Sequence, residues 1–124
     1  MPKQILVVDD QEYIRRVVRA FIEESRELQV CGEAVDGMDA LVKAEQLHPD
    51  LIILDLSMPR MNGIQAAAKL KKMLPRTPIV LFTSHCEALG GWDTRSAGID
   101  TVVAKDGQTS QLVERVQRLL EAAA

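Results

Sequence analysis

An α/β fold, with a doubly wound parallel sheet covered by helices on both faces, follows from three features of this 124-residue chain. Short apolar runs at residues 5–8, 51–54 and 79–82 show no polar alternation, as strands buried on both faces require. Segments with apolar residues at helical spacing separate these runs, so strand and helix alternate along the chain. Each run then meets polar or turn-forming residues, which mark where the chain leaves the core.

The elements follow in order. Residues 4–8 form a buried first strand ending at Asp9-Asp10. Ile14, Val17, Val18, Phe21 and Ile22 lie at i, i+3, i+4, i+7 and i+8, one apolar stripe of a helix over 11–24. Residues 28–34 alternate and are less apolar, which suits an edge strand. Asp36 can cap a second helix with the face Ala40, Leu41, Ala44 and Leu47, ended by Pro49. The third strand, 51–55, runs straight into Asp55. A third helix starts near Gly63 or Ile64 and turns Ala67, Leu70, Met73 and Leu74 inward until Pro75 and Pro78 stop it. Residues 79–83 form the fourth strand. A fourth helix is expected over 86–97, short and frayed because Gly90-Gly91 and the cap-favouring Asp93 and Thr94 weaken it. The fifth strand covers 100–104. The last helix is capped by Thr109 or Ser110 and carries the stripe Leu112, Val113, Val116, Leu119 and Leu120.

With five β–α units and right-handed crossovers, the simplest strand order is the flavodoxin-like 2-1-3-4-5. Strands one and three then lie side by side, and Asp9, Asp10 and Asp55 share one sheet edge. Cys31 and Cys86 would be three strand spacings apart, about 14 Å, too far for a disulfide.

Composition excludes several classes. Fifteen basic and eighteen acidic residues give a net charge of −3, which offers no drive toward nucleic acid or anionic lipid. Aromatic residues make up only 3% of the chain, too few for base-stacking platforms. No apolar run approaches the ~20 residues of a membrane span, and no signal peptide is evident after Lys3. Two cysteines do not make a disulfide framework, so a cytoplasmic protein with reduced thiols is expected.

The chemistry lies at the strand ends. Three carboxylates at one edge repel one another unless a cation offsets their charge, and a hard divalent ion such as Mg2+ suits oxygen donors. Thr83 brings a hydroxyl and Lys105 a flexible ammonium to neighbouring strand ends. Carboxylates, metal, hydroxyl and ammonium around one point make a site for phosphoryl transfer, with one carboxylate available as nucleophile. Each residue alone has an ordinary explanation: solvated Asp pairs in loops, β-propensity for a Thr, surface charge for a Lys. Their convergence on four strand ends argues for one site. Met58 and Met61 read as packing or turn residues, His48 as a surface residue, and Arg15, Arg16 and Arg19 as the solvated face of the first helix. His85 either faces the site or lies exposed in a loop.

The sequence resembles bacterial response-regulator receiver domains over essentially its whole length. The matching pieces are Asp9-Asp10, Asp55 with Met58-Pro59 and Gly63, Thr83-Ser84, and Lys105, in order and at successive strand ends. The resemblance implies a single receiver domain over 1–124, with no output domain in this chain. It implies Asp55 as phosphoacceptor and Asp10, Asp55 and the Ser57 backbone carbonyl as magnesium ligands, with Asp9 assisting directly or through water. It further implies Thr83 as the hydroxyl drawn to the phosphoryl group and Lys105 as the phosphate-contacting lysine. Such a protein is a two-component signalling switch rather than an enzyme, though it assists its own phosphorylation and dephosphorylation. A sensor histidine kinase or a phosphotransfer protein would donate the phosphoryl group. A downstream protein would read the face formed by the fourth helix, fifth strand and fifth helix, the chain itself being a monomer or weak dimer.

Two positions depart from the pattern. Val102 stands where many receivers carry Tyr or Phe, so an aromatic rotamer switch cannot operate there. Asp106 stands where many carry proline, as in some receivers of the NarL/FixJ type; a non-proline cis bond costs about 3 kcal/mol, so a trans Lys105–Asp106 bond is expected. Two alternatives therefore stay open. The chain is the receiver half of a DNA-binding regulator whose helix-turn-helix part is absent here, or it is a degenerate receiver that is never phosphorylated. A flavodoxin fits less well, because it wants a phosphate-binding loop after strand one and Asp9-Asp10 repels phosphate unless metal is present. A haloacid-dehalogenase-type phosphatase fits less well, because it wants two aspartates separated by one residue there and these are adjacent.

Overall fold

The computed structural model describes residues 1–84, 94–105 and 109–123. Its strands are β1 (Lys3–Val8), β2 (Leu28–Ala34), β3 (Leu51–Leu54), β4 (Ile79–Thr83) and β5 (Thr101–Ala104). The helices are α1 (Glu12–Glu23), α2 (Gly37–Leu47), α3 (Gly63–Met73) and α4 (Thr109–Ala123). The strands pair in parallel in the order β2-β1-β3-β4-β5, with β2 at an edge, as the sequence predicts. Residues 86–93 of the expected helix over 86–97 lie outside the described residues, while residues 94–98 form a turn. His85, Cys86 and the Lys105–Asp106 bond also lie outside them. No described helix is long and apolar enough to cross a membrane.

The period of two along each strand divides the core into two layers. Ile5, Val7, Leu51, Ile53, Val80, Phe82 and Val103 face α1 and α4, meeting Val18, Ile22, Leu112, Val116 and Leu120. Leu6, Val8, Ile52, Leu54, Ile79 and Leu81 face α2 and α3, meeting Ala40, Ala44, Ile64, Ala67 and Leu70. Burial on both faces is why the central strands read as uninterrupted apolar runs.

Local sequence sets the helix ends. Asp36 caps α2, its Oδ1 accepting from Asp39 N at 2.8 Å, and His48 closes that helix in the left-handed region at φ 46°. Asn62 and Gln65 form a capping box on α3, each side chain accepting from the other's backbone N–H. Between Ile5 and Leu6 the β1–β2 register slips by one residue on β2, bulging at Cys31.

Three expectations need correction. Met73 and Leu47, expected on buried faces, are 37% and 39% exposed; each is the last residue of its helix, so the following turn is not there to cover it. Thr109 and Ser110, expected to cap the last helix, lie within α4 itself, and the residues before Thr109 lie outside the described ones.

Candidate functional site

All five strands are parallel, so the carboxyl ends of β1, β3, β4 and β5 open onto one edge. Asp9 follows β1 and is held in place by its N–H, which donates to the Ala34 carbonyl at 3.0 Å. Asp55 follows β3, its N–H donating to the Val8 carbonyl at 3.0 Å. Lys105 follows β5, its N–H donating to the Thr83 carbonyl at 2.9 Å. The ladder thus continues one residue past the strands and fixes the backbone of each charged residue.

The side chains converge. Carboxylate oxygens of Asp9, Asp10 and Asp55 lie within 4.8 Å of one another. Asp9 and Asp55 are only 3% and 6% exposed, whereas Asp10 is exposed. The Lys105 stem passes the Phe82 ring, with Nζ 5.8 Å from the ring centre. Its ammonium donates to Asp9 Oδ2 at 2.8 Å and to Asp55 Oδ1 at 3.1 Å. Asp10, Gln11, Asp55, Ser57, Ser84 and Lys105 line a cleft of about 250 Å³ over these groups. Thr83 is fully buried at the end of β4, and it is the next residue, Ser84, that lines the cleft.

Burial raises the Asp55 carboxyl above its ordinary value, and the neighbouring Asp9 charge adds to this, with partial relief from Lys105. For Lys105, burial acts to lower the ammonium, but Asp9 and Asp55 outweigh it and hold it above the usual lysine range. A buried carboxylate pair thus shares a single ammonium. Among the described residues the donor set is all oxygen, three carboxylates around one point, and suits a hard divalent cation better than a softer metal.

The loop from β3 to α3 is tightly wound. Gly63 N–H donates to the Leu56 carbonyl at 2.8 Å, and a Cβ on Gly63 would lie 2.3 Å from the Asp55 carbonyl oxygen. Only glycine permits this approach. Arg60 holds φ 71°, and Met61 N–H donates to the Pro59 carbonyl at 2.8 Å, closing a three-residue turn. Met58 and Met61 are buried packing residues, as expected.

Sequence reasoning misses three residues beside the site, Arg15, Arg19 and Glu33. Arg15 was assigned to a solvated face, yet its side chain is 13% exposed and reaches back to the site. Its Nη1 donates to the Asp9 carbonyl at 2.7 Å and its Nε to Glu33 Oε1 at 2.8 Å. Arg19 Nη2 donates to Glu33 Oε2 at 2.9 Å. Burial acts to raise the Glu33 carboxyl, but the two arginines prevail and hold it below the ordinary glutamate value. No periodicity pairs an α1 arginine with a β2 glutamate; only the adjacency of β1 and β2 does.

Comparison with known proteins agrees with this architecture. The family model described as "Response regulator receiver domain" matches residues 5–117. The response regulator protein VraR of Staphylococcus epidermidis is 33% identical over 121 residues, covering 98% of this chain and 58% of that protein. Among solved structures, the signal receiver domain of the putative response regulator NarL from Mycobacterium tuberculosis superposes with a TM-score of 0.88 at 30% identity, covering 97% of each chain. A LuxR-family two-component response regulator from Aurantimonas sp. SI85-9A1 superposes with a TM-score of 0.91 at 26% identity, covering 98% of this chain and 87% of that one.

Proposed function

The chain belongs to the response regulator receiver family, and on that premise we propose that it is a magnesium-dependent switch that accepts a phosphoryl group on Asp55. The observation that carries this reading is the meeting of Asp55, Asp9 and Asp10 within 4.8 Å, with the Lys105 ammonium bridging Asp9 and Asp55. The donor is a sensor histidine kinase or a phosphotransfer protein. A carboxylate oxygen of Asp55 attacks phosphorus, an O–P bond forms, the N–P bond of the donor phosphohistidine breaks, and its electron pair leaves with the imidazole. Lys105, beside Asp55, neutralises part of the charge on the arriving phosphoryl oxygens. Thr83 turns its hydroxyl toward the phosphoryl group after transfer.

Asp10, Asp55 and the Ser57 backbone carbonyl are the residues that would hold Mg2+, with Asp9 assisting. When bound, the ion supplies the positive charge that lets phosphoryl oxygens approach three carboxylates. Phosphorylation then biases two conformations of the face that includes β5 and α4, which a downstream protein reads. With Val102 in place of an aromatic ring, the coupling between Thr83 and β5 differs from a rotamer switch or is weaker. The chain assists its own phosphorylation and dephosphorylation and acts in the cytoplasm, as a monomer or weak dimer.

Acetyl phosphate with Mg2+, followed by intact mass, tests the reading. One acid-labile phosphoryl group should appear on the wild type and none on Asp55→Asn, because an amide is not a nucleophile here. Labelling that survives in the variant moves the phosphoacceptor elsewhere; a wild type that never labels is a degenerate receiver.

A second reading has its own support. The chain spans 58% of the length of VraR, which supports reading this receiver as one half of a longer DNA-binding transcription regulator. The length of the full gene discriminates between the two. With a net charge of −3, this chain alone is not expected to bind duplex DNA at physiological salt.

A further inference from the structure

The helix that follows Asp9-Asp10 begins without a side-chain cap. Gln11 stands at the N-cap position of α1 and its side chain accepts no hydrogen bond from the first turn. Asp36 and Asn62 do this for α2 and α3. At α1 the anchoring comes from inside the helix instead. Arg15 reaches back to the Asp9 carbonyl at 2.7 Å and across to Glu33 on β2 at 2.8 Å. Glu33 is fixed in turn by Arg19, at 2.9 Å from Oε2, and by Lys43, which donates to its backbone carbonyl. Asp9 Oδ1 accepts from Gln11 N–H at 2.9 Å, so the turn carrying both carboxylates is bonded on its two sides.

We propose that Arg15 is a positioning residue for the acidic site. Its guanidinium fixes the Asp9 carbonyl against the end of β2, and with it the turn that presents Asp9 and Asp10, two of the three carboxylates, before a cation arrives. Oxygen ligands already in place lose little freedom on binding, and groups that orient ligands without touching the metal affect affinity strongly. A planar guanidinium can serve two acceptors on neighbouring strands at once, whereas an ammonium is a point donor. This proposal rests on the reading of the site as magnesium-binding.

Arg15→Met and Arg19→Met separate the positioning role from general stability. Both lose a Glu33 ion pair, but only the first loses the Asp9 contact. Magnesium affinity of the unphosphorylated chain, measured by titration calorimetry, should weaken about tenfold in Arg15→Met. Exchange of the Gln11 amide should speed up in the same variant. Arg19→Met should lower the melting temperature and leave both readouts at their wild-type values. If Arg15→Met does not fold, Arg15→Lys carries the comparison, with weaker Mg2+ binding expected because one ammonium cannot hold both acceptors.

Wild-type affinity and Gln11 exchange in the Arg15 variant would overturn the proposal. So would equal losses in the Arg15 and Arg19 variants, which would mean loosening of the whole β1–β2 end. A wild type that binds no magnesium would overturn the reading of the site itself. Gln11 exchange then decides the hold of Arg15 on the turn: faster in Arg15→Met alone supports it, and no difference between the variants refutes it.

Discussion

At the scale of single residues, the placement of Asp55 works against stability. It is nearly buried beside Asp9, and its carboxyl lies above the ordinary range first because of burial and then because of Asp9. A folded-state pKa above the unfolded one means that the folded form binds the proton more tightly. The resulting destabilisation is absent below the unfolded value of about 3.9, builds as pH rises through the folded value, and is complete above it. Asp55→Asn, which never ionises, should therefore be more stable than wild type at pH 7 in magnesium-free buffer, and the gap should close as pH falls toward 4. Urea melts at the two pH values check this, and a gap of equal size at both would exclude charge as the cause. Asp55 and Lys105 were legible in the sequence because each ends a strand. Arg15 was not, because its partners, the Asp9 carbonyl and Glu33, become its neighbours only once β2 lies beside β1.

At the scale of elements, the loop and first turn of α3 tie the helix to the site. The capping box of Asn62 and Gln65 starts the helix, and Gly63 lets it start directly against the Asp55 backbone. These two devices can be separated. Asn62→Ala should lower stability by about 1 kcal/mol, the usual worth of a cap, without altering labelling by acetyl phosphate. Gly63→Ala meets the Asp55 carbonyl oxygen at 2.3 Å and Leu81 Cδ1 at 2.9 Å. Because the first of these is backbone, the strand end must shift, with a loss of about 2 kcal/mol and slower labelling. Equal labelling rates in the two variants would show that Asp55 tolerates the displacement. The start of α3 near Gly63 was legible from the sequence. The exposure of Met73 was not, since periodicity assigns a face but does not say how far the neighbouring element extends.

At the scale of the whole molecule, the same architecture that made the fold legible also makes the site costly. Strand after strand reads as an apolar run because helices cover both faces, while parallel pairing brings every carboxyl end to one edge, with Asp9 and Asp55 nearly buried there. The fold therefore carries a built-in repulsion that a bound cation would relieve, so site occupancy and global stability are linked. At a concentration a hundred times its Kd, a ligand that binds only the native state adds about 2.7 kcal/mol. For a domain of this size that corresponds to a rise in Tm on the order of 10 °C. Magnesium should produce such a rise in wild type, and calcium-free, magnesium-free buffer should abolish it. Asp10→Ala is the informative variant. Asp10 is exposed, and its charge adds to the repulsion on Asp55, so its removal should leave the metal-free melt unchanged or slightly raised. The magnesium-dependent rise should nevertheless largely disappear, because one of three converging carboxylates is gone. Scanning calorimetry with and without millimolar Mg2+ measures both quantities on the same samples. A full magnesium shift in Asp10→Ala would mean that Asp9 and Asp55 bind the ion without it. No shift in wild type would mean that Lys105 alone balances the buried carboxylates.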